Sequence, residues 1–469
     1  MASNAPTAHP YMANSVPDIK QEMLDAIGAS NVEELFEQIP EDHRLKQALR
    51  LPRQLRSEAE LKRHLVDLLS RNATCEQNLN FLGAGCWQHH VPAVCDEMVG
   101  RAEFLTNVWG SPSSDHGRNQ TWFEYCSQIG ELVKMDMVGM PVYSFGCAAG
   151  HAIRMASRIT GRNEVILPTL SDPERLSVIA NYCEPDEMES HIAVVPVGYD
   201  PGTGLIDLDD LKAKISSQTA AVYFETPSYV GVIERQGAEI AKIARSNGAE
   251  TIVGVDPITL GVLKAPSDYG ADIVVGSTQP LGVHMNCGGG VGGFIASRDD
   301  AKYVHEYNTL NISIAETDKP GQFGFGLSCA HQTSYGMREK GKDWTGNSTY
   351  LWAISGAVYM ALMGPEGFRE AGNLIIQQAH YAAQSLSALK GARVVFPSGF
   401  FKEFVVNFDD AAKSVQEING ALRERGIFGG KDLSREFPEL GQSALFCVTE
   451  CHTKADIDRL ADALGEVLS

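Results

Sequence analysis

A chain of 469 residues, 43% hydrophobic and 21% charged, carries enough apolar material for a large core and more length than one core usually serves. Its net charge of -20 opposes nucleic acid or an anionic membrane as the main partner, which leaves small molecules and proteins. Ten cysteines without a CxxC pair fit a reducing cytoplasm rather than a disulfide framework, and no apolar run reaches the roughly 18 residues of a membrane helix.

Met1 to Pro17 is polar, has three prolines and lacks a charged-then-apolar signal pattern, so it reads as a flexible leader. From Asp18 to about Asn72 the pattern is helical: Ser57 with Glu60 suggests a capping box, and Leu61, Leu65, Leu68 and Leu69 follow at helical spacing. From about Asn78 short apolar strands alternate with helices. Strands are predicted at 165–167, 192–197, 220–225, 252–256, 273–276 and 293–296, with helices at 152–157 and 237–246. This order predicts an α/β fold whose mostly parallel sheet is covered on both faces and collects ligands at the carboxyl ends of its strands. A helix is expected from about Ser348 through Met363, broken at Gly364-Pro365, with a second from Phe368 to Leu389. Strands follow at 392–396, 403–408 and 445–450. The last helix starts at Thr453, with Asp456 completing its cap and Ile457, Leu460 and Leu464 on one face. The expected division is a helical segment at 1–77, a large α/β domain at 78–345, and connecting helices with a small α+β domain at 346–469.

Two stretches could carry chemistry. Gly139-Met-Pro-Val-Tyr-Ser-Phe-Gly-Cys-Ala-Ala-Gly-His151 leads into a helix, and glycines there leave N–H groups free for an anion such as phosphate. Gly146 and Gly150 are therefore candidate cofactor contacts, with close packing at a tight turn as the competing reading. The second stretch runs from Thr251 to Asp256 and on to Gly276-Ser-Thr-Gln279. Gly288-Gly-Gly-Val-Gly-Gly293 precedes a strand instead of following one and so is no dinucleotide fingerprint. Cys447, Cys451 and His452 lie close together, but 444–450 reads as a buried strand and no metal site is expected.

The second stretch resembles the core of a fold-type-I pyridoxal-phosphate (PLP) enzyme of the aspartate aminotransferase kind. In that family an aspartate ending a strand pairs with the pyridine nitrogen, and a later lysine forms the internal aldimine. Asp256 stands in the first place. No lysine lies between Lys264 and Lys302, however, and Gln279 occupies the second place. Glutamine lacks the primary amine that a Schiff base requires.

A narrower resemblance covers nearly the whole chain in order. Phe81-Leu-Gly-Ala-Gly85, His90-Val-Pro-Ala93 and Arg101-Ala-Glu-Phe104 are similar to the opening of the large domain of the glycine-cleavage P-protein. So are Val255-Asp-Pro-Ile-Thr-Leu-Gly-Val-Leu263, Tyr269-Gly-Ala-Asp-Ile-Val-Val-Gly276, Gln279-Pro-Leu-Gly282 and Val358-Tyr-Met-Ala-Leu-Met-Gly364. Phe437-Pro-Glu-Leu-Gly441, Val448-Thr-Glu450 and Lys454 extend the likeness to the tail.

The likeness is to the α subunit, subunit 1 of a glycine dehydrogenase (decarboxylating) split into two homologous chains. It implies that PLP is held covalently by a lysine of the β subunit. It further implies glycine decarboxylation with transfer of the aminomethyl group to a lipoyl carrier, the H-protein. Departures from the family cluster in polar loops: 107–120 around His116 and Arg118, Ser144-Phe-Gly146, Glu225-Thr-Pro-Ser228, and Gly341-Lys-Asp-Trp344 after Arg338, Glu339 and Lys340. His116, Arg118, Arg338 and Lys340 are candidate substrate or phosphate contacts, ordinary ion pairing being the alternative for the arginines. The paired His89-His90 reads as structural. Altered loops on a retained scaffold leave two further readings open: a non-catalytic partner of a PLP enzyme, and a paralogue acting on another amino acid.

Overall fold

The computed structural model describes residues 9–469 except positions 10, 48, 106–111, 186–189, 287–290, 310, 329–336, 339–340, 343–348 and 398, and side chains except also those at 13, 112–117 and 327–328. The chain forms two compact units, Met1–Ala73 and Thr74–Ser469.

In the first unit the helical pattern resolves into two helices, Pro17–Ile27 and Glu58–Leu69, with 3₁₀ turns at Val32–Phe36 and Glu41–His43 between them. Ser57 caps the second helix by accepting the Glu60 N–H at 3.1 Å. The reciprocal half of the predicted box is absent, because the Glu60 carboxylate takes the Arg56 N–H instead. Leu61, Leu65, Leu68 and Leu69 are 44–63% exposed, so helical spacing made a helix without burying its apolar residues.

The second unit opens with β1 (Leu79–Asn80), which pairs in parallel with β13 (Ile427–Phe428). Its main sheet holds β2 (Met137–Val138), β3 (Glu164–Pro168), β4 (Ala193–Val197), β5 (Thr219–Thr226), β6 (Glu250–Val255), β7 (Ile273–Ser277) and β8 (Gly293–Ser297). Their order is β2-β8-β7-β6-β5-β3-β4. The pairs from β7 through β6, β5 and β3 to β4 are parallel, and β8 runs antiparallel to β7 and β2. All six predicted strands of the large sheet are present, with ends that differ from the expectation by one or two residues.

Alternation along each strand sorts side chains onto two faces. Val165, Ala221, Tyr223, Ile252 and Val275 share a cluster with Ile153 and Ala156 of the Phe145–Thr160 helix. Their neighbours Ile166, Val222, Phe224, Val253 and Val274 face Ile240 and Ala244 of the Gly237–Ser246 helix. The long Tyr350–Ser387 helix kinks at Gly364, whose φ of 56° lies just before Pro365, where the reading of the sequence placed a break.

β9 (Asn311–Glu316) and β10 (Phe323–Ser328) form a hairpin that sequence reasoning missed, because glycine, a poor strand former, takes every second position of Phe-Gly-Phe-Gly. A second, antiparallel sheet has the order β11-β12-β15-β14, from β11 (Arg393–Val394), β12 (Glu403–Asn407), β14 (Lys431–Asp432) and β15 (Ser443–Cys447). Helix Lys454–Leu468 covers it, capped by the expected Thr453–Asp456 box, with Ile457, Leu460 and Leu464 fully buried.

Candidate functional site

Strands β5, β6 and β7 are neighbours and end side by side. Glu225 is the penultimate residue of β5, Asp256 follows β6, and Gln279 lies two residues past β7, all three buried. Crevices at such carboxyl ends are where open parallel sheets bind ligands.

Asp256 caps the turn that follows it: its Oδ1 accepts the Ile258 N–H at 3.1 Å. Its Oδ2 lies 2.6 Å from Nζ of Lys402, and both side chains are almost fully buried. Lys402 and Glu403 come from the start of β12, across the crevice. That strand reaches the site because Gly231, at φ +85°, leaves room for it; a Cβ there would lie 1.8 Å from the Glu403 carbonyl oxygen. The Lys402 ammonium also sits 4.1 Å from the Trp87 ring centroid, a cation–π distance, and 2.7 Å from Nε2 of His89. His89 Nδ1 in turn meets Glu450 Oε2 at 2.8 Å. With the lysine donating to Nε2, the imidazole donates through Nδ1 to the carboxylate. Burial pushes the Glu450 carboxyl up, but the His89 contact and the His90 N–H outweigh it and hold it at about 2.

Gln279 is fully committed. Its Oε1 accepts the Trp87 N–H at 3.1 Å, and its Nε2 donates to the carbonyls of Trp87 and Val283 at 2.8 and 3.2 Å. The glutamine therefore fixes the segment whose indole covers Lys402. Glu403 accepts the Ala84 N–H at 2.6 Å. Burial raises its carboxyl to about 7, against the opposing pull of that N–H and of the Lys402 charge.

A second cation borders the same space. Arg175 lies 4.0 Å from the Phe145 ring centroid and pairs with Glu225 at 2.5 Å and Asp172 at 3.3 Å. Tyr223 donates its hydroxyl to the other Glu225 oxygen at 2.6 Å. What remains open between Trp87, Arg175, Glu225, Asp256 and Lys402 is a cavity of about 20 Å³, room for about one water molecule.

Of the residues singled out from the sequence, Asp256 and Gln279 meet at this crevice. The missing Cβ atoms of Gly146 and Gly150 point elsewhere, toward Val178 at 3.1 Å and the Tyr182 ring at 2.7 Å, so both glycines let the Pro173–Cys183 helix pack closely. The packing reading thus accounts for them. Arg118 is buried with its guanidinium 5.3 Å from the Trp122 ring centroid, and Arg338 is exposed at φ 50°; neither lines the cavity. Lys340 and the side chain of His116 lie outside the described residues. His90 is exposed and lends Glu450 its N–H, whereas His89 is buried, the structural role expected of the pair. At the Cys447–His452 cluster, both imidazole nitrogens of His452 are engaged by backbone, the Thr449 N–H at 3.0 Å and the Asn80 carbonyl at 2.8 Å.

Sequence reasoning missed Lys402, Glu403, Arg175 and Trp87. A clue existed for the first two: Phe400-Phe-Lys-Glu-Phe-Val-Val406 places adjacent opposite charges inside an otherwise apolar strand, where each needs a buried partner.

Comparison with known proteins extends over nearly the whole chain. The family model described as glycine cleavage system P-protein matches residues 11–464. A probable glycine dehydrogenase (decarboxylating) subunit 1 of Staphylothermus marinus is 35% identical, covering 98% of this chain and 99% of its own. Its counterpart from Pyrococcus horikoshii is 36% identical, with 98% and 99% covered. Among solved structures, an inhibitor-bound glycine decarboxylase (P-protein) of the glycine cleavage system superposes with a TM-score of 0.86 at 31% identity, covering 98% of this chain and all of its own. A sphingosine-1-phosphate lyase from Burkholderia pseudomallei shares the fold, with a TM-score of 0.64 at 16% identity over 90% of this chain and 92% of its own.

Proposed function

The chain belongs to the glycine cleavage system P-protein family, and from that membership we propose that it is the lysine-lacking α subunit of a two-chain glycine dehydrogenase (decarboxylating). Its partner is a homologous β subunit that supplies the Schiff-base lysine and holds PLP. The pair decarboxylates glycine and passes the aminomethyl group to a lipoyl carrier protein.

The single observation that carries the division of labour is Gln279. It stands after β7 where the family's chemistry needs a primary amine, and its amide is wholly spent on Trp87 and Val283. PLP does not fit this chain's own residues. The acid that would face a pyridine nitrogen already faces the Lys402 ammonium, and a cavity of about 20 Å³ cannot admit a substituted ring. No catalytic step is assigned to this crevice.

The chain's own contribution is scaffolding: a rigid α/β body that the β subunit pairs with, including loops that reach the neighbouring site. Arg118 and Arg338, with His116 and Lys340, stay candidates for that reach and not for a site within this chain. The large α/β domain is taken as 78–345 and the small one as 346–469. The closed crevice also favours a second reading, in which the chain stabilises its partner and contributes no residue to turnover.

Mixing the purified chain with its lysine-bearing partner and a lipoyl carrier, and following exchange of labelled bicarbonate into glycine, tests the proposal. Exchange is expected only in the mixture. A borohydride-reducible aldimine on this chain alone would overturn the assignment of subunits. Undiminished exchange by the β subunit without this chain would favour the second reading.

A further inference from the structure

The crevice is shut by more than a missing amine. We propose that Lys402 is a built-in occupant of the ligand position at the ends of β5, β6 and β7. It stands against Asp256 as a bound cation would, so this chain excludes pyridoxal compounds even when no covalent bond is asked for. The choice of pyridoxal compounds rests on the family reading above; the closure itself rests on geometry.

The Asp256 and Arg175 charges, which a ligand could recognise here, already face opposite charges from within the chain. Asp256 has Lys402 at 2.6 Å, and Arg175 has Glu225 at 2.5 Å and Asp172 at 3.3 Å. The ammonium has two further neighbours, the Trp87 ring and the His89 ring nitrogen, and His89 is held in turn by the Glu450 carboxylate. This arrangement leaves the lysine no cheap alternative position. Its backbone is tied at both ends, the Lys402 carbonyl accepting the Val448 N–H at 2.8 Å and the Phe401 N–H reaching the Gly231 carbonyl at 3.1 Å. A ligand cation would have to evict a buried ammonium and leave it without its anion, which costs more than the new pair returns.

Restoring the amine is therefore insufficient. Gln279→Lys adds a nucleophile but leaves Lys402 in place, and it also releases the Trp87 segment. The closed crevice predicts that this variant gains no specific binding.

The direct test is equilibrium dialysis of pyridoxamine 5′-phosphate, which has no aldehyde to react with surface lysines, against the wild-type chain, Q279K and D256N. No retention by wild type or Q279K is expected; retention that D256N leaves unchanged lies away from the crevice and agrees with closure. Retention of about one molecule per chain that D256N abolishes overturns the proposal. Alongside it, K402A should lose roughly 150- to 4,000-fold in folding equilibrium, as for a broken buried ion pair. Propylammonium should recover about tenfold of that loss or more, and 1-propanol should not. Equal rescue by the alcohol would show that Lys402 fills volume only and would overturn its role as a cation. Should K402A fail to fold, the dialysis of wild type decides alone. Absence of glycine exchange with the β subunit would defeat the functional reading and leave this closure standing. Specific retention by wild type would do the reverse.

Discussion

Strand β6 begins on one buried acid, Glu250, and is followed directly by another, Asp256, and the two ends handle their charges differently. At the start, Glu250 meets Lys302 at 3.0 Å and the Tyr303 hydroxyl at 2.7 Å, while the adjacent Asp272 meets Arg298 at 3.0 Å. Those cations remain in water, with side chains 46% and 52% exposed. At the finish, Asp256 meets Lys402, whose side chain is 2% exposed. Solvent can replace a lost partner at the first end but not at the second, so similar distances carry unequal consequences.

The largest expected effect is therefore K402M. Leaving Asp256 buried without a counter-ion should cost about 3–5 kcal/mol of stability in urea unfolding. R175M comes next. It leaves Glu225 and Asp172 buried without their cation and should cost about 3 kcal/mol, part of it offset by protonation of one carboxyl. A loss below about 1 kcal/mol in either variant would mean that water enters the crevice and that the two ends are alike.

The third effect is a pH dependence. Glu403 binds its proton up to about 7 in the folded chain but releases it near 4.5 when unfolded. The folded state then holds more protons between those values, so this group's stabilisation is full below about 4.5 and is lost as pH rises through about 7. E403Q should remove that slope, read from urea midpoints between pH 4.5 and 7.5; an unchanged slope would assign it to another group. The smallest effect belongs to the solvent-facing end, where K302M and R298M should each cost about 1 kcal/mol or less.

Much of the scaffold was legible in the sequence. Six apolar strands, the Gly364-Pro365 break and the Thr453–Asp456 cap each follow from local chemistry, and each is in place. The hairpin of β9 and β10 was not, since glycines at alternate positions weaken its strand signal. Nor did spacing say what a helix packs against: the Glu58–Leu69 and Lys454–Leu468 helices share a pattern, yet only the second buries its stripe, at Ile457, Leu460 and Leu464.

At the site, Asp256 and Gln279 were readable because they lie just past predicted strands. Lys402 was not, because it arrives from more than a hundred residues away and only the fold brings β12 to the end of β6. Gly146 and Gly150 show the reverse case. Their spacing suited a phosphate cradle, and Val178 and Tyr182 reveal two helices in close contact.

A pair of double-mutant cycles tests the contrast most directly, one on Lys402 and Asp256 with K402M and D256N, the other on Lys302 and Glu250 with K302M and E250Q. A crevice closed by its own ion pair predicts a coupling of about 2 kcal/mol or more for the first pair and below about 1 kcal/mol for the second. Equal couplings would contradict it.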